Sequence, residues 1–283
     1  MTTDLAYRLL NVFTDGDDAF SGNPLCVFED AHGLSDAQMQ DLARQFNLSE
    51  TTFVFPGGDG ATASVRIFTP SYELPFAGHP TLGTAYVVRA LTGTGDDVVL
   101  RVPAGDIPVH VDGDRWTLRA NHPSTRAVTA STDDLAAMVG LTADSLGAQP
   151  LWVNTGVEQL ILPLRSVADV RRAQGDPRLL REHASTLGGE SLVYVWAPTG
   201  EGEIESRLFF TQNAAAIEDP ATGSACANLG GWFHARGERA ISRRIRQGAA
   251  VHRPSVLELT VDPDGEIFVS GRVRQVATGS FTL

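Results

Sequence analysis

Hydrophobic and polar positions along this chain fall into one order of elements, and the order is run through twice. Tyr7-Arg8-Leu9-Leu10-Asn11-Val12-Phe13 reads as an opening strand, followed by the turn cluster Thr14-Asp15-Gly16-Asp17-Asp18. Gly22-Asn23-Pro24 leads into a second strand, Leu25 to Phe28. Leu34, Met39, Leu42 and Phe46 recur at helical spacing, with Ser35 or Asp36 at the cap. Thr51 to Phe55 alternates as a strand entered by Glu50. Gly57-Gly58-Asp59-Gly60 makes a hairpin, and Thr62 to Phe68 returns. Thr81 to Leu91 is apolar on nearly every side, which predicts a helix enclosed by the rest of the fold. Short strands between Val98 and Ala120 complete the first round, and Asn121-His122-Pro123-Ser124 is the expected crossing.

The second round starts with a short helix, Asp133 to Val139. Strands Leu151 to Val153 and Gln159 to Leu164 flank the turn Asn154-Thr155-Gly156. A helical stretch from Pro177 to Ala184 precedes strand Leu192 to Trp196. Gly200-Glu201-Gly202 is the hairpin, Ile204 to Phe210 returns, and Ser224 to Ala235 is again a mostly apolar helix. Ser255 to Thr260 and Ile267 to Ser270 form a late hairpin, and Arg272 to Ala277 a separate last strand.

Sliding the chain along itself by 140 positions, the distance from His79 to Asp219, superposes the two rounds. His79 then meets Asp219, Pro80 meets Pro220, Gly83 meets Gly223, Thr84 meets Ser224 and Ala85 meets Ala225. Each turn follows an Arg-apolar-Phe strand, Arg66-Ile67-Phe68 or Arg207-Leu208-Phe209. Two copies of about half the chain predict two similar lobes. The expected class is α+β, each lobe a mostly antiparallel curled sheet around one central apolar helix. The expected lobes are residues 1–122 with about 272–283, and residues 123–271, with the active site in the cleft between them.

The chemistry concentrates at the two turns. A strand ending where a helix begins presents first-turn amides with no partner inside the helix, at the positive end of its dipole. Gly78, Gly223 and Ser224 are therefore candidates to hold a carboxylate. The competing reading is that Gly83 and Gly223 only let a helix pack closely on a sheet. Scaffold residues match between the copies while the leading polar residues differ, so His79 and Asp219 are candidates for an asymmetric active site. Glu50, at the mouth of an apolar strand, is the candidate acid/base. Partial burial of a carboxyl favours its neutral form and suits it to take and return a proton. Its repeat partner Glu190 sits in Gly-Gly-Glu-Ser and is a much weaker candidate. Glu73 and Glu218 flank the turns as supporting or solvated groups, with Glu218 near enough to Asp219 to raise its affinity for protons if both are buried.

Composition narrows the partners. The 283 residues carry 22 Lys and Arg against 34 Asp and Glu, a formal net charge of −12, which disfavours nucleic acid and anionic membranes. Met1 to Leu5 lacks a basic stretch before an apolar run, and no apolar segment is long enough to span a bilayer, so a soluble, cytoplasmic protein is expected. Cys26 and Cys226 are expected reduced and buried, and no metal-ligand spacing or nucleotide-binding motif appears. The run Arg243-Arg244-x-Arg246 reads as a solvated face.

Ser21-Gly22-Asn23-Pro24, Leu48-Ser49-Glu50-Thr51, Phe76-Ala77-Gly78-His79-Pro80-Thr81 and Asp219-Pro220-Ala221-Thr222-Gly223-Ser224-Ala225 occur in the order of the phenazine-biosynthesis PhzF-like family, and the chain resembles that family throughout. The resemblance implies the diaminopimelate-epimerase-like fold, a homodimer, and isomerisation of trans-2,3-dihydro-3-hydroxyanthranilate without metal or organic cofactor. It implies Glu50 as the acid/base, His79 and Asp219 as its polar partners, and Gly78 and Ser224 as substrate-binding positions. The racemases of the wider superfamily use two cysteines at these turns. Here Ala77-Gly78-His79 and Pro220-Ala221-Thr222 carry no thiol, which disfavours a two-thiol mechanism. A ligand-binding relative without chemistry, and a hydrolase or lyase acting on a related small acid, remain the alternatives.

Overall fold

A computed structural model describes residues 4–212 and 214–283; residues 1–3, where the N-terminal reading began, and Asn213 lie outside it. The chain forms two compact units, one through Arg119 together with Ser270–Leu283, the other Ala120–Val269.

The first unit contains β1 (Asp4–Val12), β2 (Asn23–Phe28), α1 (Asp36–Phe46), β3 (Glu50–Pro56), β4 (Ala63–Phe68), β5 (Glu73–Leu74), α2 (Gly78–Thr92), β6 (Asp97–Val102), β7 (Gly105–Asp112) and β8 (Arg115–Arg119). β1 and β2 are antiparallel, β2 and β3 parallel, β3 and β4 antiparallel, β4 and β6 parallel, and β6, β7 and β8 successively antiparallel. The second unit contains β9 (Ser124–Ala127), α3 (Thr132–Met138), β10 (Leu151–Asn154), β11 (Glu158–Pro163), α4 (Val167–Arg172), α5 (Pro177–His183), β12 (Leu192–Gly200), β13 (Glu203–Gln212), β14 (Ala215–Asp219), α6 (Gly223–Ala235), β15 (Ile241–Gln247) and β16 (Ser255–Val261). From β10 to β16 the pairing sequence is the same: antiparallel, parallel, antiparallel, parallel, antiparallel. The internal repeat is thus one topology used twice.

The last strand, β17 (Ile267–Thr282), is continuous, where the sequence predicted a break at Gly271. Residues from Ser270 onward belong to the first unit and pair antiparallel with β1. β8 also pairs with β17, so the first sheet closes around α2. Gly271 is there for packing: a Cβ on it would lie 2.3 Å from a ring carbon of the fully buried Phe13. Five further elements were not foreseen, the short strands β5 and β9 among them. α4 is short, β14 completes a hairpin with β13, and β15 holds the basic run. β15 is a paired strand in which Arg244 is exposed and Arg243 and Arg246 are half-buried, the Arg243 guanidinium lying 5.5 Å from the centre of the Phe233 ring.

Both central helices are enclosed as expected. Leu82, Ala85, Val87 and Val88 of α2 are buried, as are Ala225, Cys226, Leu229, Trp232 and Phe233 of α6. A helix surrounded on all sides draws its stability from packing more than from propensity. Gly83 is explained by that packing, since a Cβ there would meet Leu25 Cδ2 at 2.5 Å and Val12 Cγ2 at 3.0 Å. α1 covers the first sheet with Met39, Leu42 and Ala43, over the aromatic group Phe28, Phe53 and Phe68. Cys26 and Cys226 are free thiols in the two interiors. Among the described residues no helix is long and apolar enough to cross a membrane.

Candidate active site

In the first unit the chain brings three of the predicted site residues together. β3 begins at Glu50, beside β2 with Leu25 opposite it in register, and α2 begins with Gly78 and His79. His79 Nε2 lies 3.4 Å from Glu50 Oε2, with side-chain exposures of 6% and 17%. Burial pushes the His79 imidazole down to about 3, outweighing a hydrogen bond to the backbone of Pro24 that acts the other way. The ring is therefore neutral at ordinary pH. A carbonyl can only accept, so the bond to Pro24 holds the ring proton on Nδ1. That leaves a lone pair on Nε2, which makes no hydrogen bond of its own and faces the carboxyl of Glu50. Asn23 Nδ2 lies 3.5 Å from Nδ1, and with the ring proton on Nδ1 these two donors do not bond to each other.

Gly22 explains how this loop comes so close. Its φ of +79° is left-handed, and a Cβ on it would stand 2.6 Å from the Val12 carbonyl oxygen. The motif Ser21-Gly22-Asn23-Pro24 thus owes its glycine to backbone conformation, and it delivers the Pro24 carbonyl to His79. Glu190 has no such setting. It is exposed, in the turn before β12, where the Thr186 N–H donates to its carbonyl at 2.7 Å.

In the second unit Asp219 ends β14, and Gly223 and Ser224 begin α6. Thr222 Oγ1 donates to Asp219 Oδ2. The buried Gln247 ties this turn down: its Nε2 donates to the Asp219 carbonyl at 2.9 Å and to Thr222 Oγ1 at 3.0 Å, and its Oε1 accepts from the Thr222 N–H at 3.3 Å. Ser224 Oγ accepts from Gln159 Nε2 at 3.0 Å. Its repeat partner Thr84 is turned inward, fully buried and 2.8 Å from the Thr52 hydroxyl.

The peripheral helices α1, α3, α4 and α5 are capped by the side chains of Ser35, Ser131, Ser166 and Asp176. The central helices α2 and α6 have no such cap at Ala77 or Thr222, and no acidic residue in their first turns. Glu73 and Glu218 are not solvated, nor is Glu218 left beside Asp219 as a second unpaired carboxylate. Arg66 holds Glu73 through two bonds of 2.7 and 2.6 Å, and Arg207 holds Glu218 through two of 3.1 and 2.6 Å. Each arginine also lies over the phenylalanine two residues on, Phe68 at 5.1 Å and Phe209 at 4.8 Å.

The description "phenazine biosynthesis-like protein", PhzC-PhzF, belongs to the family model that matches residues 10–279. The chain belongs to this family. An uncharacterized isomerase of Pasteurella multocida is 39% identical to this PhzF-like chain over 281 residues, covering 99% of it and 94% of the relative. The trans-2,3-dihydro-3-hydroxyanthranilate isomerase of Pseudomonas aeruginosa is 32% identical over 286 residues, with coverages of 96% and 98%. A crystal structure of a PhzF-family protein from Bacillus anthracis shares the fold, with a TM-score of 0.87 at 22% identity, over 99% of this chain and all of that one. The protein is an isomerase of the PhzF-like family.

Sequence reading named the candidate residues and missed the side chains that hold them in place. Asn228 had a visible signal, a polar residue inside the apolar run from Ala225 to Phe233, whereas Gln159 only heads the run Leu160 to Leu162 and Gln247 follows the arginines. A buried amide among Leu, Ile, Ala and Gly must find partners, and that requirement points to a network.

Proposed function

We propose that this isomerase moves one proton between two carbons of trans-2,3-dihydro-3-hydroxyanthranilate, or of a carboxylate closely related to it, with Glu50 as the shuttle. The Glu50 carboxylate takes the proton from one carbon, and the released C–H pair enters the conjugated system of the substrate. The resulting carboxylic acid returns the proton to a second carbon on the same face, where the displaced electron pair forms the new C–H bond. Nothing is oxidised or reduced.

The observation that carries this reading is the neutral imidazole of His79 against Glu50, 3.4 Å away. An imidazolium there would favour the carboxylate and hinder return of the proton. A neutral ring with its lone pair on Nε2 accepts from the protonated acid, so the loaded shuttle is held in place without added charge. Asp219, oriented by Thr222, positions the polar groups of the substrate. The helix starts at Gly78 and at Gly223 with the Ser224 hydroxyl are each suited to bind a carboxylate, a role supported by the missing side-chain caps of α2 and α6. Sequence identity with the Pseudomonas aeruginosa isomerase supports the substrate. Family membership also leads us to infer a cytoplasmic homodimer, which sedimentation equilibrium at the mass of one chain would overturn.

The deciding experiment is NMR in deuterated water with trans-2,3-dihydro-3-hydroxyanthranilate. Native protein is expected to yield product carrying deuterium at carbon, and Glu50→Gln none. Binding without conversion or exchange would mark a ligand-binding relative, and a hydrated or cleaved product would mark hydrolase or lyase chemistry.

A further inference from the structure

A chain of buried amides behind Ser224 fixes the direction of every hydrogen bond in it. The Thr155 N–H, which can only donate, gives its proton to Asn228 Oδ1 at 2.9 Å, and Thr155 Oγ1 adds a second bond at 2.8 Å. The other end of the Asn228 amide must then be Nδ2. It donates to the Val157 carbonyl, which can only accept, at 2.8 Å, and to Gln159 Oε1 at 2.8 Å. With Oε1 of Gln159 turned to Asn228, its Nε2 is the atom facing Ser224, and Ser224 Oγ has to accept. Asn228 and Gln159 are 0% and 1% exposed, so water does not relax these assignments. Among the described residues Ser224 Oγ has no second hydrogen bond, and its own proton is not used within the network.

We propose that Gln159, itself set by Asn228, is a positioning residue that makes the Ser224 hydroxyl a dedicated donor to the carboxylate of the substrate. The proposal rests on the reading above in which Ser224 contacts that carboxylate. A serine hydroxyl is otherwise free to rotate and can turn either its proton or a lone pair toward an anion. Two backbone groups, acting through two amides, place a donor on its inner side and keep the proton from turning inward before the ligand arrives. The other repeat has no equivalent relay: Asn228 corresponds to Val88, and Thr84 is bound to Thr52. The hydroxyl contribution to anion binding is thereby assigned to one of the two pseudo-equivalent helix starts.

The test compares Ser224→Ala, Gln159→Met, Gln159→Glu and the double variant Ser224→Ala/Gln159→Met. KM and kcat are measured on trans-2,3-dihydro-3-hydroxyanthranilate, and the dissociation constant of 3-hydroxyanthranilate by calorimetry. Ser224→Ala is expected to raise KM about 10- to 100-fold, the range for a hydrogen bond to a charged group. Gln159→Glu accepts from the Ser224 hydroxyl and turns its proton inward, with a loss of similar size. Gln159→Met, close in volume and uncharged, keeps the test alive if the glutamate variant does not fold; a rise of about 3- to 10-fold in KM with kcat little changed is expected. The effect of Gln159→Met should vanish in the Ser224→Ala background. Equal effects in both backgrounds, or a fall in kcat alone, would overturn the positioning role while leaving the functional reading intact. An unchanged KM and dissociation constant in Ser224→Ala would remove Ser224 from the site and the proposal with it. Native protein that binds 3-hydroxyanthranilate without turnover refutes the isomerase substrate only, and the calorimetric series then decides the role of Gln159. Native protein that neither binds nor converts overturns both.

Discussion

His79 Nε2 faces Glu50 Oε2 at 3.4 Å while burial keeps the imidazole neutral. A neutral partner matters because a shuttle has to hold its proton as well as take it. Replacing Glu50 by Gln keeps the shape and a hydrogen-bonding end but removes the carboxylate that takes and returns the proton. Turnover is expected to fall by at least about 10²- to 10⁴-fold, the usual contribution of a positioned acid/base, with substrate affinity changed little. Steady-state rates beside calorimetric binding separate the two; a Glu50→Gln enzyme with near-native kcat would remove Glu50 from the chemistry.

The same histidine makes folding sensitive to acid. Its affinity for protons is depressed on folding, from the ordinary value of 6.5 to about 3. Between those values the unfolded chain binds a proton that the folded chain refuses, so this contribution to stability is complete above about pH 6.5 and is lost as pH falls toward 3. The limiting slope is about 1.4 kcal/mol per pH unit inside that window. Urea unfolding between pH 7 and 4 should show a shallower loss for His79→Gln than for native protein; parallel losses would count against the buried neutral ring.

The two arginine clamps are alike in pattern and differ in depth. Side-chain exposures are 13% and 7% for Arg207 and Glu218, against 27% and 30% for Arg66 and Glu73. Arg207 also donates to the Ala173 carbonyl at 2.6 Å just beyond α4, and Arg66 reaches Asp36 at 2.5 Å. Removing one partner of a buried pair leaves an uncompensated charge, whereas an exposed pair contributes little. Arg207→Met is expected to cost about 3 kcal/mol and Arg66→Met about 1 kcal/mol in urea unfolding. Similar costs would show that depth does not govern these clamps.

Gly271 is held by Phe13, whose own φ of 65° is unusual for an aromatic residue. Because Phe13 is fully buried, its ring cannot swing into solvent to admit a methyl group. Gly271→Ala should destabilise by about 1–3 kcal/mol through overpacking, whereas Gly58→Ala, with nothing within 4 Å of the new Cβ, should be close to neutral. Thermal unfolding of the two variants distinguishes them, and equal melting temperatures would contradict the packing role.

Much of the architecture was legible because it is written twice. The match of His79-Pro80 with Asp219-Pro220 and of Gly83-Thr84-Ala85 with Gly223-Ser224-Ala225 gave the repeat, and the all-round apolar character of both helices gave their place inside the sheets. Strand β17 was misread for a specific reason: glycine in a strand signals either a break or a close neighbour, and nothing near Gly271 in sequence reveals that Phe13 is that neighbour. β15 was missed because Arg243, Arg244 and Arg246 mask its alternation, and long arginine stems can lie along apolar surface, as Arg243 does on Phe233.

Residue type, order and spacing determined the repeat and the enclosed helices, and the resemblance of short motifs gave the family and the candidates Glu50, His79, Asp219 and Ser224, because these depend on local periodicity and on contiguous motifs. Only the tertiary structure decided what state those residues are in. The neutral ring of His79 comes from burial, which outweighs the opposing hydrogen bond to Pro24, more than fifty positions away in the chain. The direction of the Ser224 hydrogen bond comes from Thr155 and Val157, through Gln159 and Asn228. Protonation and donor direction are set by what surrounds a group in space, and a linear sequence does not carry that distance information.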